Sequence, residues 1–261
     1  MKFDYGVMIN PYPVKLSIGS LHKPTLKEIA EISFDKFGYY EFMLKLSPEL
    51  FYTGIQGDNG KQYWDSLSEE EKAKVNIFNM IQKDEKLQNV FKEIFNFFFI
   101  ENVVYYEDMF VLLKDGVKSL DEYSPENTEI IAGVINDKLF GDVVNAIQQI
   151  CCIADKEEDT SQMKFKNKLA EKLFKKMQAK KTKQEKKSDP NFELPNIISA
   201  VSNKHPTINP INVWDLTIFQ LLDSFGRLQA NTMFDIDSTR VSVWGDEKKT
   251  FNAALWYENH Y

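Results

Sequence analysis

Glycine and cysteine are both scarce in this sequence, at 11 and 2 residues in 261. So little glycine argues against the phosphate-cradling loops of nucleotide enzymes and against turn-dense β-sandwiches. The two cysteines, Cys151 and Cys152, are neighbours in an apolar stretch. That arrangement suits neither a disulfide framework nor a zinc site, and it points to a reducing compartment. Histidine is nearly missing too. His22, His205 and His260 stand alone, without the His-Glu-x-x-His or Cys-x-x-Cys spacing of a zinc hydrolase. Residues 1–6 lack the basic and apolar regions of a secretory leader, and the longest apolar cluster, Phe97 to Ile100, is closed by Glu101 and Asn102. Neither secretion nor membrane spanning is expected.

What is present is a chain that is 43% hydrophobic with 20 phenylalanines, enough to build a real core of helices packed with aromatics. The formal charge of −7 is unevenly spread. Between Lys164 and Lys187 there are 11 lysines against Glu171 and Glu185, a local +9 that leaves −16 for the rest. Met163, Leu169, Leu173, Phe174 and Met177 give the first half of that stretch helical spacing, after which no large apolar residue occurs until Pro190 closes it. This divides the chain into a mainly helical body at 1–160, a lysine-rich amphipathic helix and linker at 161–191, and a small helical module at 192–261.

In the body, Val14 to Ile18 alternates and predicts one short strand or hairpin arm. Thr25-Leu26-Lys27-Glu28 fits a capping box, and Ser68 followed by three glutamates marks a second helix start. Residues 87–113 are densely apolar and form the centre of the expected core. Asn127 is expected to cap a helical run through Ile130, Ile131, Val134 and Ile135, extending to the cysteines. In the module, Asn212 is a plausible cap for a helix whose main stripe is Trp214, Ile218, Leu221, Leu222, Phe225 and Leu228. Leu216 and Phe219 form a second apolar edge. A module of about 70 residues does not easily bury both edges, so these two residues are the expected partner-binding pair. A turn-rich passage ends at Ser242 to Gly245, and Phe251, Ala254, Leu255 and Tyr257 predict a short final helix.

Candidates for chemistry are few. Gly54, Gly57 and Gly60 lack the spacing and lysine of a phosphate loop and read as a surface loop. Asp235-Ile236-Asp237 is the pattern of a divalent cation site but reads better as a capped, solvated turn. Asp155, Glu157, Glu158 and Asp159 read as the compensating flank of the lysine stretch. That stretch has no arginine, and no aromatic lies between Phe174 and Phe192, which disfavours base reading and stacking. No catalytic, cofactor-binding or metal-binding residues emerge, and no enzyme is expected.

The order of these segments carries a resemblance. Lys15-Leu16-Ser17-Ile18 is followed by Lys23-Pro24-Thr25-Leu26-Lys27-Glu28-Ile29, then Phe-rich helices and a lysine-rich break. Asn212-Val213-Trp214-Asp215-Leu216-Thr217-Ile218-Phe219-Gln220-Leu221 and Trp244-Gly245 close the series. Together they resemble proteins from the tail gene cluster of tailed bacteriophages of Gram-positive hosts, a group of tail assembly chaperones and uncharacterised phage proteins. The resemblance implies a helical, non-enzymatic assembly factor of the host cytoplasm, needing no cofactor and binding a helical tail protein such as the tape measure protein. Self-association is allowed for alongside that partner, and a structural role in the virion or nucleic-acid binding through the lysines stands as the alternative function.

Overall fold

The computed structural model describes residues 2–114, 116–117, 130–153, 190–247 and 249–258. The expected lysine-rich helix and linker, the acidic flank at Asp155 to Asp159, the Asn127 cap and His260 lie outside the described residues. The chain divides into two units, one made of Met1–Ile153 with Trp214–Gln220, the other of Ala154–Val213 with Leu221–Tyr261. Among the described residues α-helix predominates, and sheet is confined to two small antiparallel arrangements, as the helical spacing of the sequence predicts.

The first unit opens with α1 (Tyr5–Ile9) and a hairpin of β1 (Val14–Leu16) and β2 (Gly19–Leu21). Asp4 caps α1 by accepting the Val7 N–H at 2.7 Å. Lys23 is buried and closes the other end of α1, donating to the carbonyls of Val7 and Asn10. Helix α2 (Leu26–Ile32) starts at the predicted capping box, with Thr25 N–H donating to Glu28 at 2.7 Å and Glu28 N–H to the Thr25 hydroxyl at 3.3 Å. Helix α3 (Phe34–Leu44) follows directly. The glycine-spaced segment is helical and not the expected loop: α4 (Pro48–Leu50) runs through a π-helical turn at Phe51–Ile55 into α5 (Gly57–Ser66). Gly57 has φ +66°, and a Cβ on Gly60 would lie 2.3 Å from the Tyr52 carbonyl oxygen, so both glycines serve this tight helical join. After α6 (Glu69–Lys72), capped by Ser68 as predicted, come α7 (Ile77–Lys83) and α8 (Glu85–Phe98).

The apolar centre expected at 87–113 does lie in the core, but only its first half is helical. Residues 102–113 form a hairpin of β3 (Asn102–Tyr106) and β4 (Met109–Leu113), and β5 (Ile131–Ile135) adds to β4. Val103, Val104, Tyr105 and Tyr106 have the branched and aromatic side chains that favour strands. Glu107 and Asp108 both take positive φ, 44° and 60°, which is the backbone of a two-residue hairpin turn. The expected helix through Ile130 to Ile135 is therefore strand, and α9 (Asp137–Ile150) begins afresh at Asn136, whose side chain accepts from Lys138 and Leu139. Rings from three elements meet in this core. Phe95 of α8 packs at 4.9 Å from Phe110 of β4, 6.0 Å from Phe91 and 6.1 Å from Phe140 of α9.

Asn96 closes the outer edge of β3. Its amide donates to the Val103 carbonyl at 2.7 Å and accepts from the Val103 N–H at 2.9 Å, standing in for a neighbouring strand. Replacing it with alanine is expected to cost about 1 kcal/mol and to speed exchange of the Val103 amide hydrogen. Unchanged exchange at Val103 would show that the edge is not closed this way.

Candidate interaction surface

In the second unit, α10 (Leu194–Lys204) buries Ile197, Ile198 and Val201. Helix α11 (Ile218–Trp244) spans 27 residues, of which those from Leu221 belong to this unit. Its cap is Thr217, five residues after the expected Asn212. Thr217 N–H donates to the Gln220 side chain at 3.0 Å while Gln220 N–H donates to the Thr217 hydroxyl at 3.3 Å, a capping box with glutamine in the third position. Asn212 instead orders the preceding turn by accepting the Asn209 N–H at 2.7 Å. The helix then runs through the whole passage expected to be turn-rich. It stops at Gly245, which takes φ +76° and donates its N–H to the Val241 carbonyl at 2.8 Å, a conformation that glycine adopts without penalty.

Among the described residues, α10 is much shorter than the helix it lies against. At about 1.5 Å per residue, α11 extends about 40 Å and α10 about 16 Å. Lys204, the last residue of α10, reaches Thr232 with a 2.8 Å hydrogen bond, and the Phe192 ring before α10 lies 6.5 Å from Phe225. The chain after Gly245 returns along a different side. There Phe251 packs on Phe234 at 5.7 Å, and Arg227 donates to the Glu258 carbonyl at 2.8 Å. Thr250 and Phe251 donate their N–H groups to Asp246, holding its carboxyl below the usual range and fixing the returning turn. This segment forms turns, not the expected final helix.

Met233, Ile236, Val243 and Trp244 remain. Their separations of three, seven and one place them on one side of α11, and they are 52, 57, 64 and 76% exposed. Arg240 lies on the same side and pairs with Asp237 at 3.2 Å. The four form two exposed apolar pairs on one side of the helix, with the Arg240–Asp237 ion pair between them, and they are the candidate interaction surface. Sequence reading missed it because Asp235-Ile236-Asp237-Ser238 resembles a turn. Inside a helix, Asp235 and Asp237 point to different sides and do not converge on a cation. Among the described residues no group of three or more histidine, cysteine or acidic side chains is placed to hold a metal.

The expected partner pair lies in the first unit. Phe219 is 8% exposed, and its ring meets Tyr5 edge-on at 5.8 Å. Leu216 is half-buried, and its carbonyl accepts the Leu26 N–H at 2.8 Å. Gln220 donates to the Ile9 carbonyl at 2.8 Å, so the segment 216–220 is stitched to α1 and to the start of α2. The apolar edge inferred for Leu216 and Phe219 is thus packed within the chain, and the exposed one lies farther along the same helix.

The first unit also has an open cavity of about 460 Å³ beside His22, Glu28, Glu31 and Phe97. Two of its polar side chains, His22 and Glu28, are already engaged with each other. Glu28 accepts from the His22 ring at 2.9 Å as well as from Thr25. Burial alone would raise its pKa, but these hydrogen bonds outweigh burial and hold it below the ordinary value. His205 binds back to the amides of Thr207 and Ile208. The Cys151 thiol is pushed well up by burial, which keeps it protonated and a poor nucleophile. Among the described residues no helix is long and apolar enough to cross a membrane.

These features define a helical protein with one long, incompletely covered helix and no assembled chemical centre among the described residues. Residues 180–261, which include α10, α11 and the returning segment, match the model of a family described as YomV second domain, a family of Bacillus phage origin. This part of the chain is therefore similar to a phage-associated domain. No curated protein and no solved structure matches the chain significantly.

Proposed function

We propose that this chain is a non-enzymatic phage tail assembly factor that holds a helical tail protein in the host cytoplasm, with the tape measure protein as the first candidate. The observation that carries this is the exposed Met233, Ile236, Val243 and Trp244 stripe on α11. Anchors at positions i, i+3, i+10 and i+11 offer an incoming amphipathic helix two apolar contacts on one face, and tryptophan is the residue most often dominant in such contacts. A phage setting is favoured by the match of residues 180–261 to a phage-derived family and by the segment order noted above.

The test is a Met233→Ser, Trp244→Ser variant. Both side chains are more than half exposed, so its melting temperature is expected to stay within a few degrees of the parent. Loss of a tryptophan anchor costs about 2 kcal/mol or more, roughly a thirtyfold drop in affinity. A tagged variant should therefore no longer co-purify a tail protein from infected cells. If it captures the same protein in the same yield as the parent, α11 is not the binding surface.

A further inference from the structure

The stripe on α11 is self-complementary. Two copies of the segment laid antiparallel, with the two-fold axis between Ser238 and Thr239, bring Met233 of each copy opposite Trp244 of the other. The same register sets Asp237 opposite Arg240, and by symmetry Arg240 opposite Asp237. Ile236 falls between Met233 and Arg240 on the shared face, and Val243 lies beside Trp244. A parallel pair in register would instead place Asp237 against Asp237 and Arg240 against Arg240, where like charges repel. We propose that α11 pairs antiparallel with α11 of a second copy of this chain through the Met233 to Trp244 face. The proposal rests on reading that face as a helix-receiving surface, and it names what occupies the face before a tail protein does.

Three physical features favour a second copy as occupant. The contact is isologous, so one patch supplies both halves and the assembly closes as a dimer without growing into a fibre. Each thioether meets an indole, a contact that methionine makes favourably. Charge is complementary across the axis, with each Asp237 and Arg240 able to exchange its in-chain partner at 3.2 Å for one in the other copy. The paired stretch is only about 16 Å long. It buries less than the roughly 1,200 Å² of a stable interface, so the dimer is weak and exchangeable. That suits a guard for an apolar surface that must later be surrendered to a tail protein.

Sedimentation equilibrium of the full chain tests this. The parent is expected to pass from monomer to dimer between about 10 µM and about 1 mM, the range for a small interface. Asp237→Arg and Arg240→Asp should each weaken dimerisation about tenfold or more, because each sets like charges against each other across the axis. Mixed in equal amounts, the two variants should dimerise again. In the mixed pair every position 237 faces an opposite charge at position 240 of the other chain. The in-chain pair is not restored in either copy, so recovery reports opposed helices and not repair of a single helix. A parent that stays monomeric throughout, as it would if another part of the chain covered the face, overturns the proposal. So does a dimer indifferent to both single variants, or one not rescued by mixing. If the parent is monomeric and the Met233→Ser, Trp244→Ser variant still loses its tail protein, pairing falls and the assembly reading stands. If the parent dimerises as described and that variant keeps its tail protein, the assembly reading falls and pairing stands.

Discussion

Gly133→Ala is expected to destabilise the first unit by about 3 kcal/mol, the upper end for forcing an added methyl into packed structure. Gly133 is the middle residue of β5, paired with Leu112 of β4. A Cβ built there would lie 2.3 Å from the Ile18 carbonyl oxygen and 2.6 Å from its Cα. These are backbone atoms of the turn joining β1 to β2, not the end of a flexible side chain, so relief requires moving a strand or a hairpin. Urea unfolding followed by tryptophan fluorescence should show a lowered midpoint with an unchanged slope. Stability equal to the parent would mean that β5 does not lie against Ile18, and the contact between hairpin and three-stranded sheet would have to be redrawn.

The same residue shows why part of this fold was hidden in the sequence. Ile130, Ile131, Val134 and Ile135 have the three- and four-residue spacing of a helix, and a glycine among them carries no signal of its own. Only the partner strand decides, since β4 supplies the hydrogen bonds and Ile18 the close approach. The hairpin of β3 and β4 was obscured for a local reason. Its turn is Glu107-Asp108 and not the Asn-Gly or Asp-Gly that announces such turns, although both residues adopt the required positive φ. Where capping chemistry was explicit, as at Thr25 with Glu28 and Ser68 with Glu71, the helix starts were legible to the residue.

The exposed apolar residues of α11 lie away from the edge that the sequence singled out. An apolar surplus on the helix after Trp214 followed from the sequence, but which part of it is spare depends on contacts that spacing does not reveal. Phe219 packs on Tyr5, more than two hundred residues away in sequence. The exposed stripe begins past Thr232, where α10 has ended, and the turn-like Asp235 to Ser238 disguised its continuation. A helix boundary misread by some fifteen residues thus moved the inferred site from the buried end of α11 to its exposed end.

Glu41→Gln is expected to stabilise the protein above neutral pH and to leave it unchanged in acid. Glu41 lies on α3, partly buried near Cys151, and burial raises its carboxyl from 4.5 to about 7 against the weaker opposing pull of Lys45. The sign follows from proton binding in the two states. Below pH 4.5 the carboxyl is protonated whether the chain is folded or not, and it costs nothing. Between 4.5 and 7 the folded protein keeps the proton that the unfolded chain releases, so rising pH favours unfolding. Above 7 the folded state carries a buried carboxylate, and the loss reaches its full size of about 3 kcal/mol at 1.36 kcal/mol per pKa unit. Glutamine has nearly the same shape and never ionises. Chemical denaturation at pH 5 and pH 8 should therefore give nearly equal stabilities for the variant once other groups are accounted for, while the parent is less stable at pH 8 by up to that amount. Equal pH dependence in both proteins would place Glu41 in water, ionised throughout, and would remove the packing of α3 against the end of α9 that burial of this carboxyl requires.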